Sequence, residues 1–153
     1  MQRSYRLMGA AALVVAGLQL AACSPAPEEE VALAEPSHVE EIECSEFLQI
    51  TLEERAAERL DLQTAQVVEE KMTTGESRGE QRKVIPEGAL VWDPNGKAFA
   101  YTSTEPLVFV RAPLEIDYIE RGELILRNGP AAGTEVVTVG AQELWGSETG
   151  VGH

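Results

Sequence analysis

Apolar residues along this chain fall into short runs whose spacing changes from one end to the other. Behind Arg3 and Arg6, Leu7–Leu18 is one continuous apolar stretch, too short and too rich in Ala and Gly to favour a permanent membrane span. From Ser24 to about Glu43 the large apolar residues thin out, and Pro, Ala and Glu dominate. Leu52, Ala56 and Leu60 then recur every fourth residue, a narrow stripe that predicts a short helix ending near Asp61. Thr51-Leu52-Glu53-Glu54 has the pattern of a capping box at its start. Leu62–Val68 alternates weakly and is compatible with a strand.

Beyond the polar loop Thr73–Gln81 the pattern turns to β. Val84-Ile85, Ala89–Trp92, Ala98–Thr102, Leu107–Ala112, Leu114–Tyr118, Glu123–Arg127 and Glu135–Val139 are short β-prone runs separated by turn residues. Asp93-Pro94-Asn95-Gly96 predicts the hairpin turn between the second and third of these. Pro94 pre-sets φ, and Gly96 can adopt the left-handed conformation that closes a bulged hairpin. Leu114–Tyr118 alternates cleanly, so that element has one covered and one wet face. Pro113 donates nothing to a ladder, which argues for an edge or a bulge there. The expected fold is mainly β: a small barrel or sandwich of about six or seven short strands with one short N-terminal helix, preceded by a disordered tether.

The ends set the domain boundaries. Leu20-Ala21-Ala22-Cys23 fits a bacterial lipobox, so residues 1–22 are expected to be a lipoprotein signal peptide, with Cys23 as the lipid attachment site. Residues 23–50 are expected to form an acidic Pro/Ala/Glu-rich tether, 51–145 the β domain and 146–153 a polar tail. A flexible tether of that length spans on the order of 30 Å, and repulsion between its glutamates lengthens it. The mature part, roughly 130 residues, is enough for one domain with a modest core.

Charge narrows the partners. The chain has 12 Lys and Arg against 26 Asp and Glu, a formal net charge of −14; without Arg3 and Arg6 it is about −16. Nucleic acid is a poor partner for such a surface. Anionic headgroups repel it too, so membrane residence is expected through acyl chains on Cys23. With Cys23 alkylated, Cys44 has no partner within the chain, and an exported compartment permits a disulfide only between molecules.

Candidate chemistry is thin. His38 lies in the expected tether and His153 is the last residue, so neither is placed to orient a nucleophile. No His, Cys or Asp cluster has metal-ligand spacing, a single Met72 makes no soft-ligand set in the mature chain, and no phosphate-loop pattern occurs. The expectation is a non-enzyme without cofactor or metal. Trp92, Phe99, Tyr101 and Phe109 invite a ligand-pocket reading, but aromatics at strand positions more often fill a core. Arg111, inside an apolar run, has two readings: a docking residue, or a cation paired with Glu115 or Asp117. Trp145 is either a surface anchor or tucked against the β domain.

One ordered set of motifs goes further. Ile85-Pro86-Glu87-Gly88-Ala89 leads into the hairpin turned by Asp93–Gly96. A long strand with Arg111 near its middle follows, then Gly129-Pro130-Ala131-Ala132-Gly133-Thr134-Glu135-Val136-Val137 and Val139-Gly140-Ala141-Gln142-Glu143-Leu144. This run resembles the membrane-proximal, C-terminal domain, a permuted SH3-like barrel, of the periplasmic adaptor subunits (membrane fusion proteins) of RND-type efflux pumps. With a weaker extension upstream to Leu52, the likeness covers roughly the C-terminal two-thirds of the chain. It implies a domain that sits against the extracytoplasmic part of an inner-membrane export permease and couples its cycle to the rest of the pump. It mildly supports Arg111 as an interface residue, and Pro113, which marks an edge on the same strand, is expected to share that interface.

The chain departs from that family in having no room for a lipoyl-like domain or a long helical hairpin before the β domain, so a separate polypeptide is expected to supply them. A free-standing ligand- or envelope-binding lipoprotein with a similar β domain is the alternative. Localisation is expected to be extracytoplasmic and membrane-anchored. Ser24 after the lipid Cys points to outer-membrane sorting, whereas a permease partner points to the inner membrane.

Overall fold

The structure, a computed structural model, describes residues 35–150. Residues 1–34, with the expected signal peptide and Cys23, and residues 151–153, with His153, lie outside the described residues.

Among the described residues eleven strands form two antiparallel sheets, roughly a sandwich and not a closed barrel. The larger sheet contains β1 (Ser37–Glu41), β2 (Leu48–Leu52), β3 (Gln63–Gln66), β6 (Val91–Trp92), β7 (Ala98–Glu105), β8 (Val108–Pro113) and β11 (Glu135–Val139). Its order is β1-β2-β8-β7-β11-β3, with β6 paired to the start of β7. The smaller sheet holds β4 (Val68–Lys71), β5 (Gln81–Pro86), β9 (Glu115–Glu120) and β10 (Glu123–Asn128), in the order β4-β5-β10-β9. Helices α1 (Glu54–Leu60) and α2 (Ala141–Thr149) complete the fold with one 3₁₀ turn, Glu87–Ala89.

Alternation along β7 explains the layering. Phe99 and Tyr101 point to one face of the larger sheet, where they join Ile50, Leu52, Phe109, Val137 and α2's Ala141 and Leu144 in one core. Ala100, one residue between them, belongs to the opposite core with Val67, Ile85, Leu114, Leu124, Leu126 and Val136. The larger sheet is therefore covered on both faces, by helix on one side and by the smaller sheet on the other. A third, smaller cluster of Met72, Val84 and Ile125 lies with Tyr118 on the far face of the smaller sheet.

Two continuous stretches of chain pass between the sheets. β3 becomes β4 through Val67, and β8 becomes β9 through Leu114. Both corner residues are buried in the core between the sheets. Val67 also donates its N–H to the Thr134 carbonyl and accepts from the Gly133 N–H, at 2.8 Å each, while the Leu114 N–H donates to the Ala98 carbonyl at 2.9 Å. A strand bends this sharply without loss where an apolar residue fills the corner and the backbone groups find partners outside the ladder.

The mainly β class is as expected, but the strands number eleven rather than six or seven, and four further details differ. The helix is not an N-terminal element, because β1 and β2 precede it, and β1 and the first three residues of β2 lie within the segment expected to be a tether. Few apolar residues mark that segment, yet its Ile50, with Leu52 just beyond, is buried once β2 pairs with β8, and β1, charged and largely exposed, closes the edge. Thr51 forms no capping box: it is held in β2 between His38 and Val108, and α1 starts from Glu53 with no side-chain cap. The tail expected from residue 146 is helical through Thr149. Gly140, at φ +90°, turns the chain out of β11, and Ala141 and Leu144 bury one helical face.

Two close approaches fix the smaller sheet and its connection. A Cβ on Gly88 would stand 2.7 Å from the Thr138 carbonyl oxygen, so the 3₁₀ turn packs directly on β11's backbone. In the β4–β5 connection, Ser77 donates to Asp117, which also pairs with Arg127 at 2.6 Å and Arg82 at 3.4 Å. The Asp117 carboxylate side chain is only 6% exposed. The Ser77 hydrogen bond, and then Arg127, hold it below the ordinary carboxylate range.

Gly88→Ala should lower stability by about 1–3 kcal/mol, since a rigid carbonyl rather than a flexible side chain must give way. Urea unfolding at neutral pH measures it. Because Asp117 is more acidic when folded, its contribution is complete above the unfolded carboxylate value of about 3.9 and is lost as pH falls through the lower folded value. Thermal melts at pH 7 and pH 3 should therefore differ by less in Asp117→Asn than in the parent chain.

Candidate functional site

The Asp93–Gly96 turn, Arg111 and Pro113 meet at one end of the β7–β8 pair. The hairpin between β6 and β7 is built as expected. The Asp93 carboxylate accepts from the backbone N–H groups of Asn95 and Lys97, at 2.8 Å each, and the Gly96 N–H donates to the Asp93 carbonyl at 3.0 Å. The backbone N–H of Lys97 leads in holding Asp93 below the ordinary carboxylate range. Gly96 takes φ +78°, the left-handed value that closes the turn behind Pro94. Pro113 ends β8 next to this turn, paired with Phe99 of β7. Its outer side needs no donor, because β2 reaches only as far as Val110 along β8. The expected edge or bulge at Pro113 is thus a strand end at the corner between the sheets.

Trp92, 53% exposed, stands over this corner. With Ala98, Pro113, Leu114 and Ile116 it lines an open groove of about 380 Å³, with Lys97 at its rim. Lys97, Ala98 and Pro113 also belong to a neighbouring cleft of about 260 Å³ that includes Phe47 and Arg111. That cleft also carries the Glu46 and Asp93 carboxylates.

Arg111 points inward. Its guanidinium lies 5.1 Å from the ring centres of Phe99 and Trp145 and 5.7 Å from that of Phe47. It pairs not with Glu115 or Asp117 but with Glu148 of α2, Nη2 to Oε1 at 2.8 Å. The Tyr101 hydroxyl donates to the other oxygen of Glu148 at 2.5 Å. Arg111 is 20% exposed and Glu148 2%. Arg111 Nε and Glu148 Oε1 are both buried without an aligned hydrogen bond, so the pair is held by charge and by the surrounding rings. Burial, and then the adjacent Glu148, raise the Tyr101 phenol well above its ordinary range, keeping it a neutral donor.

Arg111 therefore clamps α2 to the sheet, and of the two residues expected at an interface only Pro113 faces outward. Trp145 tucks against Phe99, ring centres 5.2 Å apart. Phe99, Tyr101 and Phe109 are core, and Trp92 alone of the four strand aromatics is exposed.

Phe47, Tyr101 and Glu148 were missed as parts of this cluster. Trp145 and Glu148 are three residues apart on one helix and so share a face. Gly146 and Ser147 between them hid the helix. Phe47 sat in the segment taken for a tether.

Among the described residues no three His, Cys, Asp or Glu side chains converge to hold a metal. His38 pairs with Glu40 on exposed β1, and Cys44 is a free, exposed thiol in the turn before β2. No helix of the described residues is long and apolar enough to cross a membrane. What the arrangement offers chemically is a binding surface set on a rigid support. No family model matches this chain, and no curated protein sequence does.

Arg111→Met should cost on the order of 3 kcal/mol, because it leaves the Glu148 carboxylate buried without a counter-charge. Adding Glu148→Met should recover most of that loss, short of about 1 kcal/mol for the Tyr101 hydroxyl left without its acceptor. Denaturant unfolding of the three chains measures both steps. Equal stability of the two variants would mean the ion pair is incidental.

Proposed function

We propose that this chain is a non-catalytic, lipid-anchored, extracytoplasmic adaptor-like subunit that docks on an inner-membrane export permease of RND or similar type. The observation that carries this reading is the exposed Trp92 grouped with Pro113 and Ile116 at the corner between the sheets. A half-exposed Trp in an apolar groove, with Lys97 also in the lining, is the composition of an interface centre, where Trp contributes out of proportion to its area. The resemblance of Lys83–Leu144 to adaptor membrane-proximal domains supports it, since most of β5, all of β6 to β11 and the start of α2 come from that run. Cys23 in its lipobox supports attachment to the membrane through acyl chains, which an acidic domain needs because headgroups do not attract it.

Purification of the tagged chain from membranes tests this. Trp92→Ala should fold normally, because its ring is largely outside the core, and should reduce co-purified permease at least tenfold, equivalent to about 1.4 kcal/mol. Cys23→Ala should leave the chain uncleaved at that site or released in soluble form. Undiminished permease recovery with Trp92→Ala, or tight membrane retention of a cleaved Cys23→Ala chain, would overturn the corresponding half of the proposal.

A further inference from the structure

The opposite end of the β7–β8 hairpin carries a second surface of different chemistry. Pro106 and Leu107 form the two-residue loop between the strands, with Glu105 and Val108 paired across it. Proline fixes a negative φ at the first loop position, and Leu107 takes φ +64° at the second, the geometry of a type II turn. That position favours Gly or Asn, whose left-handed conformation carries little steric cost. A leucine side chain there carries a steric cost.

It is not used in the main core. Leu107 is half-buried and is not among the partly buried apolar side chains that pack on the core under the helices, although Ala57 and Leu62 are. Instead it lines an open groove of about 570 Å³ between α1 and the hairpin, with Leu62, Ala57 and Phe109. Glu58 and Asp61 stand on the same lining, both exposed. The backbone holds Leu107 in place: its carbonyl accepts from the Leu52 N–H at 2.9 Å.

We infer that this groove is a docking site for an extended partner segment in which an apolar side chain is flanked by Lys or Arg. The apolar floor accepts the anchor residue, and the Glu58 and Asp61 carboxylates accept the flanking cations. The whole chain, at −14, attracts a basic segment from a distance and repels an acidic one. The inference does not rest on the permease reading, since the groove and its charge are properties of this chain whatever bears the segment.

The test uses the isotopically labelled full-length chain and three amidated, acetylated pentapeptides: Lys-Lys-Leu-Lys-Lys, Lys-Lys-Ser-Lys-Lys and Glu-Glu-Leu-Glu-Glu. The first should shift the amide signals of Ala57, Asp61, Leu62, Leu107 and Phe109 saturably, with a Kd at least tenfold lower than either of the others. Leu107→Gly should keep or raise the Tm and abolish the preference for leucine over serine. The double variant Glu58→Lys, Asp61→Lys should invert the charge preference. Equal binding of the serine peptide, shifts spread over the whole acidic surface, undiminished leucine preference in Leu107→Gly, or a lower Tm of that variant would each overturn the proposal, the last by showing that Leu107 serves packing alone.

Discussion

The two-faced strand β7 is the constraint on which the rest of the structure hangs. On one side it presents Phe99 and Tyr101, large enough to seat a helix; on the other it presents Ala100, small enough for a second sheet to approach closely. Reversing that order of sizes would leave α2 without a bed and the smaller sheet too far away. Every other element takes its place relative to this strand. β8 and β11 flank it, β6 pairs with its start, and both cores touch it.

Much of this was readable from residue order. The turn Asp93–Gly96 was, because proline and glycine each have one physical reason to stand where they do. The strands from Val84 to Val139 were, because β-branched and aromatic residues alternate there between clear breakers. The segment before Leu52 was not. β1 is an exposed edge whose residues Ser37–Glu41 are nearly all polar, and only pairing with β2 gives it form. Thr51 illustrates the same limit: a local capping pattern lost to a ladder formed with residues far away in sequence.

The site divides in the same way. Pro113 was legible because a missing donor is a local property. The place of Arg111 was not, because its partner lies on a helix that Gly146 and Ser147 concealed and one of its rings lies in the segment taken for a tether. The outcome alters what the cation is for. A guanidinium boxed by three rings and a carboxylate fixes α2 over the larger sheet, and that fixed core underlies the exposed surface where Trp92 stands.

The passages of chain through Val67 and Leu114 give the domain a mechanical character. In a sandwich joined only by loops, the layers can slide past one another. Here two uninterrupted strands run from one layer into the other, each nailed at its bend by a buried apolar residue and by backbone hydrogen bonds. Shear between the layers would have to extract both bends at once. Sliding of the layers is therefore opposed by burial and by hydrogen bonding at the same two points.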